Sequence, residues 1–358
     1  MAGSSTTPFL FTQFPGERNV STHRERKQRL RQNFEACRTL IAGHSTFVLT
    51  THMNPDADGL GSELAFASYL LSQGKTVHIL NHSATPPNCL FMDPHSRIQQ
   101  FDPAHDAHLL KEAGIIVILD ANQPDRLASL KPFVLQSSAK KICIDHHLDK
   151  EEFADLFIID EEAAATGEIL FNLLTFLTPQ PLSQEIATCL YTAIMTDSGS
   201  FRFPKTDGEL HRIVAELLDR GADPVTSYQQ HYEQESLGSL HLLARALGSM
   251  RVTHDGAVAS MVITRRDFLE TGTTELDTHS FITKALNIGG VMIGLLLTEV
   301  DDGVKISFRS KGDIPINKLA QEFGGNGHKN AAGARLPGEK LDNILPILLE
   351  RAHQYIPS

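Results

Sequence analysis

The sequence has 358 residues, 41% hydrophobic and 21% charged, which is the balance of a folded globular chain and excludes a disordered one. A formal charge of −11 argues against a protein that coats long nucleic acid with its whole surface, so an anionic ligand must meet a local positive site, which metal ions can supply. Cys37, Cys89, Cys143 and Cys189 stand singly and far apart, which argues against a zinc ribbon or a disulfide scaffold.

The length favours two domains. Residues 1 to about 22 are polar and read as loosely ordered, and Ser21 to Leu40 reads as an amphipathic helix with a basic exposed face. From Phe47 the chain alternates apolar strands and helices: FVLTTH, GLGSELAFASYLLSQG, TVHIL, then GIIVILDAN and KKICIDHH. Short β-branched strands alternating with helices predict an α/β fold built on a parallel sheet. Between Thr166 and Arg220 the helical period dominates, and these helices are expected to cover the sheet. A first domain over 1–225 and a helical linker over 226–250 follow. A smaller α/β domain over 251–358 carries the strands AVASMVIT, GGVMIGLLLTEV and GVKISFRS, with helices NKLAQEF and EKLDNILPILLERAHQY. No run approaches the roughly 18 apolar residues of a membrane span, and the N-terminus lacks an export-signal pattern, so a cytoplasmic protein without membrane contact is expected.

Chemistry-bearing residues fall at the carboxyl ends of the apolar strands, where ligands of open parallel sheets bind. FVLTTHMNPDADGLGS delivers His52 and then Asp56 and Asp58 in an Asn-Pro turn; capping of the next helix explains one aspartate and leaves the other. GIIVILDAN delivers Asp120, and KKICIDHH delivers Asp145, His146 and His147. Adjacent side chains on a strand diverge, so the two histidines are expected to differ, one on a metal and one on substrate. TAIMTDSGSFRF adds Asp197 in a Gly-Ser turn after a helical stretch. The set holds oxygen and nitrogen ligands without cysteine, the mixture suited to manganese or magnesium. In the second domain Arg309, Ser310 and Lys311 end a strand and present donors for a phosphate. GGNGHKNAAG is a small-residue loop in which Gly325 and Gly327 allow backbone amides near a phosphate and His328 can turn inward; turn chemistry alone explains it equally well.

These residues resemble the DHH phosphoesterase family, named for the triplet seen here as Asp145, His146 and His147. THMNPDADGLGS, ILDAN, IDHH and TDSGSF are similar to its four successive motifs, and FRSKGDIPINKLAQEFGGNGHKNAAG resembles the DHH-associated domain, type 1. Within the family the likeness is to stand-alone two-domain nanoRNases of the NrnA type, which also act as 3′-phosphoadenosine 5′-phosphate phosphatases, and to cyclic-di-AMP or pApA phosphodiesterases. The resemblance implies two manganese ions, with magnesium or cobalt as substitutes: one on His52 and Asp56, the other on Asp58, His146 and Asp197, with Asp120 between them. It implies support from Asp145, a place for His147 beside the scissile phosphate, and an active site in the cleft between the domains. Short RNA or nucleotides are the substrates it implies, and a homodimer is left open. Rival readings are an inorganic pyrophosphatase or exopolyphosphatase of the same superfamily and a nucleotide-sensing module without catalysis.

Overall fold

The computed structural model describes residues 20–278 and 280–356, without the side chains of residues 20–23 and His328. The segment expected to be loosely ordered therefore lies almost wholly outside the described residues. Two compact units divide between Gln234 and Glu235.

In the first unit, strands β1 (Thr46–Thr50), β2 (Thr76–Asn81), β3 (Ile98–Gln100), β4 (Ile115–Leu119), β5 (Lys140–Asp145) and β6 (Leu156–Ile159) form one sheet in the order β3-β2-β1-β4-β5-β6. Every pairing is parallel, as the alternation of strands and helices predicts. The helices are α1 (Val20–Gly43), α2 (Ala57–Ser72), α3 (Pro103–Glu112), α4 (Lys131–Gln136), α5 (Thr166–Leu177), α6 (Gln184–Asp197), α7 (Gly208–Asp219) and α8 (Pro224–Tyr232).

Successive side chains of a strand point to opposite faces. Phe47 and Leu49 of β1, with Ile115, Val117 and Leu119 of β4, accordingly pack on one side with residues of α1, α2, α5, α6 and α7. Val48, Ile116 and Ile118 pack on the other side with Leu110 of α3 and Val134 of α4. Each such burial stabilises the fold by about 1.5–3 kcal/mol, so helices cover both faces of the sheet and the strand ends stay accessible.

In the second unit β7 (Arg251–Thr253), β8 (Val258–Ile263), β9 (Ile293–Val300), β10 (Gly303–Ser310), β11 (Asn326–His328) and β12 (Ala331–Pro337) run in the order β11-β12-β10-β9-β8-β7. Only the β8–β9 pairing in this order is parallel. The helices are α9 (Leu237–Gly248), α10 (Arg265–Thr271), α11 (Ile282–Leu286), α12 (Ile316–Glu322) and α13 (Leu341–His353). Residues 226–250 are shared between the units. Asn88 Nδ2 donates to His231 O on α8 at 3.3 Å in the first unit, whereas Leu242 and Ala246 of α9 are buried in the core of the second. Among the described residues no helix is long and apolar enough to cross a membrane.

Candidate metal centre

The strand order places a switch point between β1 and β4, because the chain leaves β1 toward β2 on one side and reaches β4 on the other. Such a point opens a crevice at the carboxyl ends of the strands. His52 follows β1, Asp120 follows β4, and His146 and His147 follow β5. His52 Nε2 lies 3.3 Å from Asp120 Oδ2 and 3.8 Å from Asp56 Oδ2. His146 Nε2 lies 3.2 Å from Asp197 Oδ2, 3.9 Å from Asp58 Oδ2 and 3.7 Å from Asp120 Oδ1. One oxygen of Asp120 thus faces each histidine. Among the described residues three overlapping sets result, His52 with Asp56 and Asp120, Asp58 with His146 and Asp197, and Asp120 with Asp145, His146 and His147, each with ligand atoms within 4.8 Å of one another.

Local structure aims each group. Asp56 caps α2, its Oδ1 accepting the amides of Asp58 and Gly59, while Oδ2 stays turned to His52. The capping explanation and the ligand explanation therefore apply to the same residue. Gly59 is required by that turn, since a Cβ there would sit 2.3 Å from Thr51 Oγ1. Asp120 holds φ at 58°, a left-handed value that aspartate tolerates better than most residues. Asp197 is the last residue of α6, where the negative end of the helix disfavours a carboxylate unless a cation balances it. Asp58 is held by backbone: Thr166 N donates to Oδ2 at 2.7 Å and Gly167 N to Oδ1 at 2.9 Å. Ala165 gives α5 no side-chain cap, so Asp58 supplies from α2 the acceptor that the helix start needs.

The electrostatics favour a cation. His52 Nδ1 is 2.9 Å from Met53 O and His146 Nδ1 is 3.2 Å from Ala163 O, so in both rings Nδ1 carries a hydrogen and Nε2 is the nitrogen turned to the carboxylates. Both Nε2 atoms are buried without a hydrogen-bond partner and face carboxylates, an arrangement that a metal ion satisfies. Burial opposes charge on His52, yet Asp120 and Asp56 raise it to about 10, so positive charge is favoured at that position. Burial holds His146 below its ordinary value, in the neutral form that coordinates. Burial, followed by repulsion from Asp120 and Asp197, raises Asp58 well above the carboxylate range; burial, then Asp120 and Asp56, raise Asp197 to about 7.

His146 and His147 differ in exposure, the first buried and the second 40% exposed at its side chain, but they do not diverge in space as expected: their rings meet edge to face with centroids 4.5 Å apart, and Asp120 Oδ1 lies 3.7 Å from His146 Nε2 and 3.4 Å from His147 Nδ1. Asp145 Oδ1 accepts from both backbone amides and from His147 Nδ1 at 2.8 Å. That bond leaves His147 Nε2 as the outward-facing nitrogen. Asn122 ties the same turn to β4 by donating to His147 O at 2.9 Å.

The second unit separates the remaining candidates. Arg309 lies on the half-buried face of β10 and has no carboxylate partner among the described residues; Nη1 donates to Phe308 O at 2.9 Å. Ser310 does not join it. The pleat turns Ser310 to the buried face, where Oγ donates to Ile314 O at 2.8 Å and accepts from Asn330 Nδ2 at 2.9 Å. Lys311 Nζ approaches Ile288 O at 3.4 Å. The small-residue segment is strand and not free loop: Asn326, Gly327 and His328 pair with Gly333, Ala332 and Ala331. Its glycines permit that approach, since a Cβ on Gly325 would meet Gly333 O at 2.2 Å and one on Gly327 would meet Ala331 O at 2.5 Å. The side chain of His328 lies outside what is described.

Sequence reading missed the backbone donors Thr166 and Gly167, whose one trace is an alanine run before a helix start without a capping side chain. It also missed Arg126 and Lys205. Arg126 O accepts from Met53 N at 2.7 Å, and its charge is felt at His147; that of Lys205 is felt at His146 and Asp197.

A parallel α/β unit with paired carboxylate and imidazole groups at its switch point, joined to a second mixed-sheet unit, defines the class of hydrolytic phosphoesterases. The chain belongs to the DHH family: residues 46–194 match the DHH family, N-terminal domain, and residues 255–354 the DHHA1 domain. It is 29% identical over 317 residues to the bifunctional oligoribonuclease and PAP phosphatase NrnA of Thermus thermophilus, covering 88% of this chain and 91% of that one. The Bacillus subtilis protein of the same name is 26% identical, with 85% and 94% covered. A crystal structure of an exopolyphosphatase-related protein from Bacteroides fragilis superposes with a TM-score of 0.86 at 30% identity, covering 91% of this chain and 96% of that one.

Proposed function

We propose that the protein is a manganese-dependent phosphoesterase that cleaves short oligoribonucleotides, pApA or 3′-phosphoadenosine 5′-phosphate to mononucleotides in the cytoplasm. The observation that carries this is the pair of buried Nε2 atoms, without hydrogen-bond partners, that face carboxylates and share one of them, Asp120. His52 and Asp56 would hold one ion, Asp58, His146 and Asp197 the other, with Asp120 serving both through its two oxygens. Bound metal ions in such a pair lower the pKa of water and neutralise phosphoryl oxygens.

The chain's own groups do the rest. Asp145 fixes the His147 ring, and burial works against its charge while His147 holds its carboxyl below the usual range. His147 then offers Nε2 to the leaving oxygen as a proton donor, since neighbouring Asp145 and Asp120 raise its imidazole above the ordinary value against the effect of burial. Arg309 supplies a charge-assisted contact to a terminal phosphate, with Lys311 and the segment around Gly325, Gly327 and His328 beside it.

The names of the Thermus and Bacillus relatives support the nucleotide reading, and that of the Bacteroides protein keeps polyphosphate as the second. One experiment separates them: manganese-loaded protein is given pApA, 3′-phosphoadenosine 5′-phosphate, pyrophosphate and polyphosphate side by side. AMP from the nucleotides, lost on chelation, is the expected result. Turnover of pyrophosphate or polyphosphate with pApA left intact overturns the proposal.

A further inference from the structure

A buried ion pair remote in sequence from every motif is left unused by this reading. Arg26 on α1 places Nε 2.7 Å from Asp160 Oδ1 and Nη2 2.6 Å from Asp160 Oδ2, a two-pronged contact. The two side chains are 13% and 5% exposed. Ion pairs on the surface contribute little, but Asp160 is deep enough that removal of Arg26 leaves its carboxylate without a cation, whereas Arg26 keeps a second contact from Nη1 to the exposed Glu162 at 3.3 Å.

Asp160 opens the segment that leads from β6 into α5. Its amide donates to Asp145 O at 3.1 Å, and its carbonyl accepts from Ala163 N at 3.0 Å. Ala163 O is the acceptor facing His146 Nδ1, Thr166 N and Gly167 N grip Asp58, and Thr166 Oγ1 donates to Asp120 Oδ1 at 3.0 Å. Glu168 closes the turn by accepting from Ala164 N at 2.8 Å. The other half of the cluster meets this segment only at Asp120, and there through Oδ1, the oxygen turned to His146; Asp120 Oδ2 faces His52, Met53 O orients His52, and Asp56 is fixed by its own turn.

We propose that Arg26 and Asp160 form a positioning pair that holds the 160–167 segment and thereby sets affinity at only one of the two metal positions, the one made by Asp58, His146 and Asp197. The inference rests on the two-ion reading and adds an asymmetry to it. A supporting partner of a ligand is worth about 10- to 100-fold in metal affinity.

The test is calorimetric titration of chelator-stripped protein with manganese, with the spectrum of bound manganese as a second readout. Arg26→Gln and Asp160→Asn are expected to weaken one ion about 10- to 100-fold and leave the other unchanged. Arg26→Lys, which keeps charge without the fork, falls between. Phe34→Ala serves as control: it removes a buried α1 ring that packs on Phe176 with centroids 5.7 Å apart, lowering the melting temperature without touching the pair. Two unchanged affinities are expected for it. Equal weakening of both ions in Arg26→Gln and Asp160→Asn, or the same selective loss in Phe34→Ala, overturns the pair's role. So do undiminished affinities in both pair variants. Fewer than two ions on the parent protein overturns the two-ion reading instead.

Discussion

Glu63 on α2 shows how far the polar design reaches behind the clustered carboxylates and imidazoles. It is fully buried, with Oε2 accepting from Asn81 Nδ2 at 2.8 Å and Oε1 without a partner among the described residues. Asn81 Oδ1 in turn accepts from the amide of Thr51, the neighbour of His52. Burial pushes the Glu63 carboxyl from 4.5 to about 8. Between these values the folded chain keeps a proton that the unfolded chain has released, so stability is full below the lower value and is lost as pH rises through the higher, by up to about 1.4 kcal/mol per unit. Glu63→Gln stays neutral throughout. Denaturant unfolding of chelator-treated protein should therefore show the variant gaining on the parent from pH 5 to pH 8. Parallel stability curves would contradict a buried, protonated Glu63.

At the scale of elements, β10 makes a prediction through its pleat. Arg309→Ala should lower kcat/KM about 10- to 150-fold, the equivalent of a charge-assisted contact of about 1.5–3 kcal/mol, with the larger loss on a dinucleotide bearing a 5′-phosphate. Ser310→Ala, one position on, should leave the kinetics unchanged and cost about 1 kcal/mol of stability, because it removes the buried donor to Ile314 O. Rate and melting measurements on both variants check the division, and a kinetic loss in Ser310→Ala without destabilisation would refute it. The same strand marks the limit of sequence reading. A run of adjacent polar residues announces a strand end but not which of them faces the ligand. Strands β1, β4 and β5 were legible because apolar runs delivered them intact, and with them the residues that follow. Edge strand β3 is only Ile-Gln-Gln and β12 begins Ala-Ala-Gly-Ala, so neither hydrophobic period nor β-branching marks them, whereas β6 is an apolar Leu-Phe-Ile-Ile run whose four residues are too short to announce a strand by period. The support for Asp58 was illegible for another reason: amide hydrogens do the work, and every residue but proline has one.

Across the whole molecule, the eight clustered side chains run from His52 to Asp197 and come from both sides of the switch point. None of the three strand ends holds more than part of a set, and helices α2 and α6 supply Asp58 and Asp197. Such a site cannot exist in a partly collapsed chain, because β1 must already lie against β4, and β4 against β5, before His52, Asp120 and His146 can meet. A metal ion held there would thereby have a kinetic role, and on the manganese reading the role is testable. A ligand whose site forms only after the folding barrier acts on the escape rate and not on the approach. Stopped-flow unfolding should slow as manganese is raised, while refolding of the first unit keeps its metal-free rate. Equal acceleration of refolding would mean that the strands pair and the ligands gather earlier than this topology implies. The ion would then be less a clasp added to a finished sheet than a seed around which the sheet is laid down.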